Sequence, residues 1–73
     1  MTLDQLKNGQ RGTVRALNLD AAASVRLMEM GLLEGSAVQV LGRAPLGDPL
    51  ELKVGDYRLS LRQADAACIE VDL

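Results

Sequence analysis

The sequence predicts a small, mainly β domain: about five short antiparallel strands bent into a barrel, with one inserted α-helix and a short N-terminal helical turn. Three observations carry this. Residues 50–54 and 57–62 alternate apolar and polar side chains without a fault across the two-residue loop Gly55-Asp56. One helix-period segment, residues 21–30, opens on Asp20 and stops at Gly31. The 73 residues make one domain, residues 1–73, with room for a single core. A flat sheet of this size leaves one face wet and its edges open to pairing, whereas a curled one encloses its apolar side chains.

At the start, Thr2 and Gln5 have the spacing of a capping box, which predicts one helical turn over residues 3–7. Leu3 and Leu6 then share a side, as a lid over a barrel end requires. Residues 11–19 read as the first strand. Val14 and Ala16 take one face and Leu17 and Leu19 the other, so the phase calls for a bulge near residue 17. Asp20 is a good N-cap for the helix that follows, and its three alanines favour that conformation. Ala23, Leu27 and Met30 form its apolar stripe. With Gly31 at C′, Leu27 and Leu32 fall at C3 and C″, the two positions that touch in a Schellman motif.

After Leu33-Glu34-Gly35 the period changes to two, with Val38 and Val40 on one face of a strand over residues 36–43. The run Ala44-Pro45-Leu46-Gly47-Asp48-Pro49 breaks it, because each proline removes a ladder donor. In the following hairpin, glycine at the first loop position suits a type II′ turn, and Leu52, Leu59 and Leu61 are expected in the core. Residues 63–67 are expected to make one tight helical turn. Ile69, Val71 and Leu73 alternate in the closing strand.

Composition narrows the function classes. Hydrophobic residues make up 48% of the chain, ample for a core, yet Tyr57 is the only aromatic. Net charge is −2, and the basic stretches (Lys7/Arg11/Arg15, Arg26, Arg43, Arg58/Arg62) are scattered among acids. That reads as solvated surface and argues against a nucleic-acid partner, for which stacking aromatics are also lacking. One cysteine makes no intramolecular disulfide and fits a reducing compartment. The start has no basic n-region, and no apolar run is long enough to span a membrane. The expectation is a soluble, cytoplasmic protein.

Catalytic and metal chemistry find little to stand on. There is no histidine, so the commonest metal ligand and general base are missing together. Cys68 has no base to activate it and reads as a small residue opening the last strand. Asp48, Glu51 and Asp56 offer hard oxygens, and Met28, Met30 and Cys68 soft sulfurs, without the compact spacing of a dedicated site. The methionines, beside Leu27, are expected to fill the core. Gly9-x-x-Gly12 lacks the Lys-Ser/Thr of a phosphate loop. No catalytic residue, metal ligand or cofactor is therefore expected.

A set of residues in order along the chain carries a family resemblance. Arg26-Leu27 is followed by Gly31-Leu32 and Gly35 in an R-L-x-x-x-G-L-x-x-G pattern. Then come Pro45, Gly47, Asp48 and Pro49 of the A-P-L-G-D-P loop, Leu59-x-Leu61-Arg62, Ala66 and Ile69-Glu70-Val71. The ordered set, spanning residues 2–72, resembles the FeoA family, whose SH3-like barrel is shared with the C-terminal domain of diphtheria-toxin-repressor-type iron regulators. Glu34 departs from the pattern, since the family often has proline there. The resemblance implies a cytoplasmic accessory protein of ferrous iron uptake. Its partner would be a FeoB-type membrane transporter with a GTPase domain, met through the transporter's cytoplasmic part. The chain would be a monomer or weak oligomer, peripheral to the membrane only through that partner. The alternative is an SH3-like regulatory domain associated with a metal-dependent repressor. The start at Met1 with a capped first turn favours the free-standing protein.

An interaction module needs a surface. Leu33 and Leu46 are apolar residues in connecting segments, which either tuck over a barrel end or form an exposed docking patch. Met30 sits beside them at the helix end and offers adaptable contact. Pro45 and Pro49 restrict the loop that bears Leu46, lowering the entropy lost on docking.

Overall fold

The computed structural model describes all residues, Met1–Leu73. A 3-10 turn at Leu3–Gln5 leads into β1 (Arg11–Leu17), α1 (Ala21–Glu29), β2 (Ala37–Arg43), β3 (Leu50–Val54) and β4 (Tyr57–Leu61). A single turn, α2 (Gln63–Ala66), and β5 (Ile69–Asp72) complete the chain. The strands form one antiparallel sheet in the order β4-β3-β2-β1-β5. The expected five strands, inserted helix and N-terminal turn are all present.

Alternation explains the core. Val14, Val38, Val40, Leu50, Leu52, Val54, Leu59, Leu61, Ile69 and Val71 all point inward and are buried. Leu3, Leu6, Leu27, Leu32 and Ala66 close the ends, and Leu17 and Leu19 pack partly against the cluster. Leu73 does not continue the alternation, because β5 ends at Asp72 and Leu73 is exposed.

Sheet curvature comes from two irregularities. β1 shifts register against β5 between Val14 and Ala16, leaving Arg15 as the extra residue. The bulge thus lies two residues before the position expected from the apolar phase. It turns Leu17 back toward the core, which is why the two apolar pairs fall on different faces. A second shift, between Val40 and Gly42 against β3, had no signal in the sequence. Gly12 lets β1 come close to β5: a Cβ there would lie 3.1 Å from the Asp72 carbonyl oxygen and 3.5 Å from Leu6 Cδ1.

The hairpin turn has Gly55 at φ +58 with Asp56 at negative φ, as a type II′ turn requires. The N-terminal turn is shorter than the expected 3–7. Thr2 N–H donates to Gln5 Oε1 at 2.9 Å, the return half of the capping box, while the Thr2 hydroxyl donates to Asp4. Leu3 and Leu6 form the lid over the barrel end. Arg43 holds it down: Nη2 donates to the carbonyls of Asp4 (2.9 Å) and Leu6 (2.7 Å), and Nη1 to Asn8 Oδ1 (2.6 Å). Arg43 is therefore a structural clasp, not the solvated surface residue that its place among scattered basic stretches suggested.

Candidate docking surface

Helix α1 begins where Asp20 Oδ1 accepts from Ala23 N–H at 2.8 Å. It ends in a complete Schellman motif: Leu32 N–H donates to Leu27 O and Gly31 N–H to Met28 O, both at 3.0 Å. Gly31 has φ +95, a left-handed conformation that glycine adopts without penalty. Leu27 and Leu32, the paired residues of the motif, both enter the core. They pin the helix at one end.

The rest of the apolar stripe stays outside. Ala23 is half-buried, Met30 is 40% exposed, and Met28 and Val25 are exposed as well. The methionines do not fill the core as expected, because Leu27 alone of the helix reaches it. Leu33 follows at 45% exposure in a corner tied to β1, where Gly35 N–H donates to Val14 O at 2.7 Å. Ser36 Oγ braces the same corner, accepting from Leu33 N–H and donating to Gly31 O. An apolar strip is thus held on a rigid frame.

The β2–β3 loop is just as well defined. Pro45 and Gly47 take the second and fourth positions of a turn closed by Gly47 N–H to Ala44 O at 2.7 Å. Ala44 N–H donates to Pro49 O at 3.1 Å and seals the neck. Asp48 Oδ1 accepts from Gln63 N–H at 3.0 Å, so a loop residue caps the first turn of α2. This frame leaves Leu46 at the tip, 96% exposed. Neither Leu33 nor Leu46 tucks over a barrel end.

The three expected contact residues do not converge on one point. The Gly31 corner approaches Val54, since a Cβ on Gly31 would lie 3.9 Å from its Cγ1. The Leu46 loop enters β3 at Leu50, about 13 Å away by strand rise. Met30 lies between them in the groove system. It lines a groove of about 420 Å³ with Arg26, Ser60, Leu61, Arg62 and Asp65. Ser60 and Arg62 also border the depression beside Asp48 and Pro49. The surface therefore runs from the helix end to the neck of the Leu46 loop. Val25 and Met28 are exposed on the same helix but line neither depression, and of the expected stripe of Ala23, Leu27 and Met30 only Leu27 is fully buried.

Little chemistry is assembled elsewhere. Glu51 accepts from the Ser60 hydroxyl at 2.8 and 2.9 Å, and Asp48 is used as a cap. Cys68 is half-buried, its thiol directed to Ala64 O at 3.5 Å. No three of the Cys, Asp and Glu side chains come together as a metal cage. No helix is long and apolar enough to cross a membrane.

Comparison with known proteins identifies the family of the chain. The chain is 37% identical, over its full 73 residues, to part of an Fe(2+) transport protein A/Fe(2+) transporter FeoB fusion protein of Porphyromonas gingivalis, and spans only 9% of that protein's length. Among solved structures it matches FeoA from Chlorobium tepidum with a TM-score of 0.97 at 38% identity, covering all of this chain and 70% of the other. It also matches zinc-complexed FeoA of Stenotrophomonas maltophilia, a prokaryotic SH3 domain protein proposed as a ferrous iron transport activating factor (TM-score 0.84, 34% identity, 99% of this chain and 89% of the other). A manganese-dependent transcriptional repressor shares the fold at 21% identity, with a TM-score of 0.86. The family model for the FeoA domain matches residues 1–73, and the chain belongs to the FeoA domain family.

Proposed function

We propose that this chain is a non-catalytic accessory module of ferrous iron uptake, acting in the cytoplasm on a FeoB-type transporter through protein–protein contact. The observation that carries this reading is the fusion protein of P. gingivalis, in which a segment 37% identical to this chain is joined to the transporter itself. Covalent linkage keeps two modules at high effective concentration, which favours a contact between them. The docking surface is the strip from Met30 and Leu33 to Leu46. Its support is apolar exposure on a framework whose turns are already closed, so that little conformational entropy is lost on binding.

The test uses purified FeoB-type transporter as bait and compares the wild-type chain with Leu33→Ser and Leu46→Ser. Both variants keep their melting behaviour to within about 0.5 kcal/mol, as exposed positions do. Binding weakens by more than about 1 kcal/mol where the residue is an anchor, and iron-dependent growth falls with it. Stable variants that bind and support growth like wild type would remove this strip from the proposal. Failure of the wild-type chain to bind the transporter at all would remove the partner.

A further inference from the structure

A different face of the sheet carries charge with no internal use. Arg11 in β1 pairs with Gln39 in β2, Gln39 with Lys53 in β3, and Lys53 with Arg58 in β4. Each of the four alternates with buried neighbours (Gly12, Val38, Val40, Leu52, Val54, Leu59), so the row points outward across four adjacent strands. Arg11, Lys53 and Arg58 are exposed, and none makes a salt bridge, the molecule's single ion pair being Arg15 with Asp72 at 3.9 Å. Lys53 and Arg58 stand directly opposite each other. Like charges in that position weaken a hairpin, whereas an acid at either site would strengthen it. Between Arg11 and Lys53 lies a shallow depression of about 230 Å³, floored by Ala37 and Gln39. The Gln39 side-chain nitrogen donates to the Gly9 carbonyl at 3.1 Å, while the two cations there make no hydrogen bond or ion pair within the chain.

We propose that this row is a second interaction surface and that its occupant is the acidic face of a helix in a protein partner, laid across the strands. Strand spacing puts the Arg11 and Lys53 positions roughly 9.5 Å apart and Lys53 and Arg58 roughly 5 Å apart. Carboxylates at i, i+7 and i+11 of an α-helix, separated along its axis by about 10.5 and 6 Å and sharing one face, match that ruler. A membrane surface fits less well. The chain is net acidic, with Glu51 two residues from Lys53 on the same face of β3 and Asp56 exposed in the turn two residues before Arg58. A broad anionic sheet meets those acids as well as the cations, while a narrow helix meets the row alone. Nucleic acid is disfavoured by the same charge and by the lack of stacking aromatics.

The proposal is independent of the transporter reading and is tested without that partner. The probes are two alanine-based helical peptides of identical composition, one with Glu at i, i+7 and i+11, the other with the same three Glu spread around the helix. At low ionic strength the matched peptide binds the full chain about tenfold more tightly, with amide shifts centred on Arg11, Gln39, Lys53 and Arg58, and added salt abolishes the difference. Lys53→Glu turns the like-charge pair into an opposite one, so that variant stays folded while losing about tenfold in affinity. Equal binding of the two peptides, or undiminished binding by Lys53→Glu, overturns the proposal. So does a Lys53-dependent association with phosphatidylserine vesicles or single-stranded DNA in place of the matched peptide.

Discussion

The β3–β4 hairpin and helix α1 with its corner are similarly apolar in sequence and meet opposite fates. In the hairpin, Leu50, Leu52, Val54, Leu59 and Leu61 are all buried. In the helix and corner, Leu27 and Leu32 are buried while Val25, Met28, Met30 and Leu33 are exposed. A strand inside a curled sheet sends every second side chain inward, so its apolar residues have one destination. A helix on the outside of a barrel touches the core along one line, and a wider apolar stripe than that line stays in water. In this domain the hairpin supplies stability, and the helix supplies surface.

The sharpest way to break the contrast is a truncation on each side of it. Leu52→Ala, at a fully buried position in the middle of the sheet, loses about 2–5 kcal/mol, enough to threaten folding of a domain this small. Denaturant melts measure it, and near-parental stability would mean the sheet tolerates loss of its centre. Arg43→Met comes next. It keeps the aliphatic stem but removes three hydrogen bonds to the N-terminal segment, for a loss of about 1.5–3 kcal/mol. Hydrogen exchange should show the loss concentrated at Leu3–Leu6. Uniform loosening of the whole sheet would contradict the clasp.

Smaller effects sharpen the helix side. Gly31→Ala costs about 1 kcal/mol because an L side chain resists φ +95, and Gly31→Val costs more. Identical melting temperatures for both variants would refute the left-handed cap. Met28→Ala falls at the bottom of the series, within about 0.5 kcal/mol, as for other exposed positions. A loss comparable to that of Leu52→Ala would show the helix stripe to be core after all.

The features legible in the sequence are those set by near neighbours. The type II′ turn at Gly55-Asp56, the Asp20 cap and the Schellman stop at Gly31 each depend on backbone preferences acting across a few residues. Strand alternation is equally local, and it named Leu52, Leu59 and Leu61 as core. Where alternation faltered, in residues 14–19, a bulge was legible but its position was not. Both placements keep Leu17 near the core, and only pairing with β5 selects Arg15 as the extra residue.

The tertiary structure decided what depends on residues far apart. In the sequence Asp48 is a loop residue with no visible partner, and the fold brings its carboxylate to the backbone N–H of Gln63, 15 positions later, at the start of α2. Arg43 looked like ordinary surface, because its three acceptors lie 35 to 39 residues earlier. The outward turn of Met30 and the cationic row from Arg11 to Arg58 follow likewise from docking and strand register. Local conformational preference specifies which elements form and where they stop. Which side chains meet across the barrel is specified by burial of the whole apolar set at once, and that is a property of the assembled sheet.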